Sequence, residues 1–189
     1  MSSGPGFALG TITPSGWQAQ QIVYCHLTAS TLQYSYLYDS GLVTSNININ
    51  SFIQSVVAGD PTVSTPLPGG QTPPDLVVTV PCYVVVALDS TLSWAFQPGV
   101  APILTEQNLA SKYCALNIVD SGGNIYAGQT PTSPTSPPCL IAYFSVVSVA
   151  PASEDVADPF SYFLQVTQQG GNTYNVVVDP EIRNEGPGG

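Results

Sequence analysis

Along most of the chain, apolar and polar residues alternate with a period of two, and glycine or proline cuts the alternation at short intervals. That period belongs to strands with two unlike faces, because successive strand side chains point to opposite sides. Residues 17–28 (WQAQQIVYCHLT) open the series. Residues 31–39 (TLQYSYLYD) put Leu32, Tyr34, Tyr36 and Tyr38 on one face, with Gln33, Ser35, Leu37 and Asp39 on the other. Asp39-Ser-Gly41 supplies a turn. Residues 43–50 (VTSNININ) set Ile47 and Ile49 against Asn46, Asn48 and Asn50, and residues 51–58 continue that strand after a bend.

A Gly/Pro-rich loop with five prolines is expected over 59–74. Residues 75–88 (DLVVTVPCYVVVAL) are apolar on both faces, as in a central strand, with Pro81 marking a bulge or an edge. A short strand surrounds Trp94. Thr105 to Lys112 (TEQNLASK) is the one credible helical turn, capped by Thr105 with Glu106 in its first turn. Residues 113–119 and 124–128 read as a hairpin around Asp120-Ser-Gly-Gly123. A Pro/Ser/Thr loop over 129–138 precedes a buried strand, 139–149. Residues 160–168 and 173–179 form the clearest hairpin, turning at Gly170-Gly171-Asn172. Pro180 has no N–H and is expected to stop the ladder, leaving 180–189 as a polar Gly-rich tail.

The elements amount to roughly nine or ten short strands. They predict an all-β chain with at most one short helical turn. The expected architecture is a single-domain antiparallel β-sandwich over 1–189, jelly-roll or immunoglobulin-like. There is no βαβ alternation to suggest a nucleotide-binding sheet.

Composition changes this picture in one respect. Asp, Glu, Lys and Arg make up 7% of the chain, against about 25% in an average soluble protein. A surface with so few charges loses little hydration when it packs against another surface. The sequence therefore predicts a structural or interaction protein that meets itself or a partner protein. Twelve acids against two bases, Lys112 and Arg183, give a net charge of −10. That charge repels phosphate backbones and anionic lipid, which argues against nucleic-acid and membrane partners. The start has neither a basic region nor a continuous apolar one, so a cytoplasmic location is expected.

Catalytic chemistry is thinly supplied. The chain has one histidine, His26, beside Cys25, and adjacent strand positions face opposite ways, so the two do not form a dyad. No enzyme activity is expected. Cys25, Cys82, Cys114 and Cys139 lack metal-ligand spacing. They read as buried hydrophobes, with two inter-strand disulfides as the alternative. Glu154, Asp155 and Asp158 form the one close acidic cluster, on a loop beside Pro151 and Pro159. Solvated loop acids are the plain reading and a calcium site the sharper one. Trp17, Tyr34, Tyr36 and Trp94 are the candidates for a sugar-stacking platform. A calcium-assisted carbohydrate-binding module for a neutral glycan is thus the alternative to the interaction protein. The plain reading of the tyrosines is the core face of a strand.

Asp158-Pro-Phe-Ser-Tyr-Phe163, the hairpin QVTQQGGNTYNVVV and the closing Asp179-Pro-Glu-Ile-Arg-Asn-Glu-Gly186 resemble small uncharacterised bacterial β-proteins that end in a D-P-x-I-x-N-(E)-G pattern. The resemblance implies a compact antiparallel fold and a bacterial origin, and it implies no activity.

Overall fold

The computed structural model describes residues 6–27, 34–39, 47–61, 65–66, 76–133, 135–149 and 155–185, with backbone alone at 34–39, 65–66, 155 and 183–185. In chain order the elements are β1 (Gln21–Leu27), β2 (Tyr34–Asp39), α1 (Ile49–Val57), β3 (Thr65–Pro66), β4 (Leu76–Val78), β5 (Cys82–Leu88), β6 (Trp94–Phe96) and β7 (Ile103–Thr105). After these come β8 (Tyr113–Asp120), β9 (Ile125–Ala127), β10 (Cys139–Val146), β11 (Asp155–Thr167), β12 (Thr173–Val178) and β13 (Glu181–Glu185). The all-β expectation holds, with more strands than the sequence pattern gave and one helix.

The strands form two sheets. The first runs β3-β2-β1-β5-β10-β8-β9, and the second runs β12-β11-β13-β4 with β6 and β7 on the other side of β11. Both are mixed, which corrects the expectation of a wholly antiparallel jelly-roll or immunoglobulin-like sandwich. β1 pairs parallel with β5, and β4 parallel with β13. The sequence pattern hides this because a strand shows the same period whichever way its neighbour runs.

One apolar core lies between the sheets. Val23, Cys25, Val84, Val86, Ile118 and Phe144 come from the first sheet, and Phe96, Ile103, Phe160, Tyr162, Leu164 and Ile182 from the second. Burying a side chain of this size stabilises the fold by about 1.5–3 kcal/mol. Tyr113 sits edge-on to Phe160, centroids 4.8 Å apart, and helps to fix the spacing of the layers. The four cysteines are buried thiols on β1, β5, β8 and β10. Burial pushes the Cys25 thiol up to about 12 and Cys139 to about 11, the latter helped by Asp120.

The helix lies where a strand was expected. Asn48 caps it by accepting a hydrogen bond from Ser51 N. Gly59, at φ +77°, closes it: Gly59 N–H donates to Val56 O and Asp60 N–H to Ser55 O, a Schellman ending. Phe52 and Ile53 bury against Ile22, Tyr24, Val85 and Ile141, on the face of the first sheet that points away from the second. The helical spacing of Ile49, Phe52, Ile53, Val56 and Val57 answers that sheet face, and its demand outweighs the strand preference of the isoleucines and valines. Residues 43–46 of the expected strand 43–50 lie outside the described residues, and 49–50 open the helix.

Three further expectations are corrected. The apolar run 75–88 is two strands, β4 in the second sheet and β5 in the first, so Pro81 stands at a crossover between layers rather than within one strand. Residues 105–112 form no helix. Thr105 ends β7 and is buried, with its hydroxyl donating to Gln107 O, and a single turn at Leu109 follows. Pro180 does not end the ladder. β12 and β13 are successive parts of one strand facing β11, in unbroken register from Thr167 opposite Thr173 to Asp155 opposite Glu185. Pro180 lacks a donor, but its carbonyl still accepts from Phe160 N–H at 2.8 Å. One ladder bond is lost and the strand continues, so 181–185 belong to the second sheet and not to a tail. The 59–74 loop lies mostly outside the described residues, although Thr65–Pro66 make an edge strand. The 129–138 loop is pinned by the buried Thr130, whose hydroxyl donates to Gln97 O at 2.6 Å. Among the described residues no helix is long and apolar enough to cross a membrane.

Candidate functional site

The expected acidic loop is largely strand. Asp155 and Asp158 both belong to β11, opposite Glu185 and Ile182 respectively. Glu154 lies outside the described residues, as does the side chain of Asp155. Asp158 is buried, and Lys112 Nζ meets its carboxylate at 2.5 Å while the Tyr113 hydroxyl donates to the same oxygen. For Asp158 the plain expectation of a solvated loop acid is corrected: this carboxylate is buried in a strand and ties β11 to the start of β8, across the two sheets. Among the described residues no group of three or more His, Cys, Asp or Glu is placed to hold a metal ion.

The aromatic candidates are dispersed. Trp17 is half-buried and sits edge-on to Tyr83, centroids 5.1 Å apart, on the helix side of the first sheet. Trp94 lies on β6 and packs against the core between the sheets. The register of β2 sets Tyr34 opposite Leu27 and Tyr36 opposite Cys25, both positions of the inter-sheet core. The side chains of Tyr34 and Tyr36 lie outside the described residues. Trp17 and Trp94 therefore share no platform.

Two surface features could not be placed from the sequence. The first is an open strand edge. β12 pairs with β11 on one side, and among the described residues nothing pairs with its other side. The bond from Phe160 N–H to Pro180 O marks even-numbered residues of this strand as those facing β11. The N–H and C=O groups of Thr173, Asn175 and Val177 therefore point outward. Tyr174 and Val177 are each 50% exposed. No Asp, Glu, Lys or Arg occurs between Ser161 and Val178. Natural edges are blunted by charge, proline, bulges or brevity, and β12 has none of these over its six residues. The other edge strands among the described residues are shorter: β3 has two residues, and β4, β6, β7 and β9 have three each. The outer face beside the β12 edge carries Phe163 and Gln165, which are partly buried, and Asn175 and Val177, which are exposed. The first sheet buries its own outer face under α1; among the described residues no helix covers the second.

The second feature is a cleft of about 550 Å³ between the C-terminal turn of α1 and the outer face of the first sheet. It opens at the carboxyl ends of the parallel strands β1 and β5, and its lining includes Tyr24, His26 and Asp89. Cys25 points into the core while Tyr24 and His26 face the helix, as alternation requires. The His26 ring stacks on Tyr24, centroids 5.8 Å apart, and Tyr24 meets Phe52 edge-on. Burial lowers the His26 pKa, and nearby Asp89 only partly offsets this, so the imidazole is uncharged at neutral pH. Asp89 Oδ1 accepts from both the N–H and the hydroxyl of Thr91 at 2.8 Å, and these bonds lower its pKa. Asp120, at the rim, is fully buried. Its two oxygens accept four bonds at 2.9 Å, from Gly122 N, Asn124 N, Asn124 Nδ2 and the Tyr126 hydroxyl. Burial pushes its pKa up, but those bonds outweigh it and hold the group low. Asp120 is thereby committed to the turn between β8 and β9.

No known family model matches the chain, and no curated protein shows significant sequence similarity to it.

Proposed function

We propose that the protein acts by association, adding the edge of β12 to the same edge of a second copy. The observation that supports this is the open strand itself: six residues without charge, the outward N–H and C=O groups of Thr173, Asn175 and Val177, and the half-exposed side chains of Tyr174 and Val177. Strand addition uses main-chain hydrogen bonds for affinity and alternate side chains for fit. An antiparallel pair of β12 strands has two-fold symmetry, the commonest form of self-association. The net charge of −10 opposes contact between copies in general. The charge-free run from Ser161 to Val178 gives one direction of approach where that opposition is weakest. In this reading the chain is one domain, a sandwich whose helix closes one outer face and whose other face is kept for contact. Its core draws on residues from Leu9 to Ile182, which favours a single unit.

The test is light scattering after size exclusion, over a wide range of concentration. The wild-type chain is expected as a dimer or larger. Asn175→Pro removes an outward N–H without touching the ladder to β11, and Val177→Lys places a charge beside the edge. Both variants are expected as folded monomers. A wild-type chain that stays monomeric throughout refutes the reading.

A further inference from the structure

The cleft under α1 has the dimensions and wall chemistry of a small-molecule site. Its volume of about 550 Å³ lies within the roughly 300–1,000 Å³ usual for ligand pockets. Apolar walls come from Val56 and Val57 of the helix and from Leu140 of β10, and the Tyr24–His26 stack forms an aromatic side. Its electrostatics have one sign. Asp89 is anionic at neutral pH, and His26 is neutral. The helix end that borders the cleft is the carbonyl end of α1, where the helix dipole is negative. Neither base of the chain, Lys112 nor Arg183, is among the described residues that line it. Thr91 occupies only Oδ1 of Asp89; Oδ2 accepts no hydrogen bond from a described residue.

We propose that this cleft binds a small organic cation, an alkylammonium or guanidinium with an apolar body, whose charge rests against Asp89. The apolar body lies along Val56, Val57 and Leu140, and the Tyr24–His26 stack offers a ring face to the cation. An anion meets Asp89 and the helix carbonyls and is rejected. A neutral molecule of the same shape keeps the wall contacts and loses the charge–charge attraction.

Titration of the full-length chain with pentylamine and agmatine, followed by calorimetry and by NMR shifts, tests this against pentanol and hexanoate. The amines are expected to bind and to shift resonances of Tyr24 and His26, with pentanol at least about tenfold weaker and hexanoate silent. Asp89→Asn keeps an acceptor for both Thr91 bonds and removes the charge. It is expected to weaken amine binding about tenfold or more while leaving thermal stability close to wild type. Glu106→Gln makes the same change in net charge at an exposed site remote from the cleft, and should leave affinity unchanged. N-acetyl-lysine methylamide separates the sources of the cation: affinity matching pentylamine points to a lysine side chain of a partner, and much weaker affinity to a free amine. Equal binding of pentanol and pentylamine overturns the proposal. So does equal weakening by Asp89→Asn and Glu106→Gln, or the absence of amine binding at millimolar concentration.

Discussion

Lys112→Met offers the sharpest test of how the two sheets are held together. The side chains of Lys112 and Asp158 are 16% and 3% exposed, so the carboxylate is the partner that loses most when the pair is broken. Removing one member of a buried pair costs about 3–5 kcal/mol, because the remaining charge is left uncompensated. Here the Tyr113 hydroxyl still donates to Asp158, and Lys112 is partly solvated. Both facts put the expected cost near the lower end, about 3 kcal/mol. At about 2–4 °C per kcal/mol for a chain of this size, the melting temperature should fall by about 6–12 °C. Asp158→Asn keeps an acceptor for Tyr113 and frees a lysine that can reach water, at about 1 kcal/mol. The double variant then leaves no buried charge and should also cost about 1 kcal/mol, not the sum of the two singles. Urea unfolding of all four proteins measures the coupling, expected near 3 kcal/mol. Raising the salt concentration should change it little, since buried pairs are poorly screened. Single costs that simply add, to within about 0.5 kcal/mol, refute the argument.

Two smaller perturbations follow from backbone and turn chemistry. Ala115 lies at φ 57° beside the register shift between β8 and β10, so Ala115→Gly should raise stability by about 0.5–1 kcal/mol. A lower urea midpoint would contradict that account, even though glycine ordinarily weakens a strand. Asp120 is held below its unfolded pKa, so its contribution is fully present above about pH 4 and is lost as pH falls through the folded value. Asp120→Asn should therefore flatten the loss of stability below about pH 4, and an unchanged acid slope would show that other carboxylates set it.

What the sequence made legible was the local period. β1, β2, β8 and the β11–β12 hairpin fall within the stretches where alternation predicts strand, and β10 within the apolar run read as a buried strand. Partner choice was not legible. Nothing in QIVYCHL or CYVVVAL says that these strands run parallel, since the pairing is decided by what the intervening chain permits. The helix was legible in principle. Asn48, the apolar set Phe52, Ile53, Val56 and Val57, and Gly59 are a cap, a stripe and a terminator, yet the Asn/Ile alternation just before them was extended too far. Pro180 was read by its missing donor alone, without its carbonyl. Asp158 was read with its chain neighbours, when its partners lie at Lys112 and Tyr113, on another sheet. Neither the cleft nor the bare edge has a local signature, because each is made by elements distant in sequence.

The parallel pairing of β1 with β5 also carries a kinetic consequence. Leu27 and Cys82 bracket the chain that must be looped back before that ladder can close, whereas β11 and β12 meet across a turn of a few residues. Closing the longer loop costs more chain entropy, so the C-terminal hairpin should organise first and the β1–β5 seam late. Core substitutions in the hairpin should then slow refolding, and those in β1 should chiefly speed unfolding. A ribosome releases the two regions in the opposite order. The emerging chain must therefore carry an unfinished first sheet until the segment that folds fastest has been made.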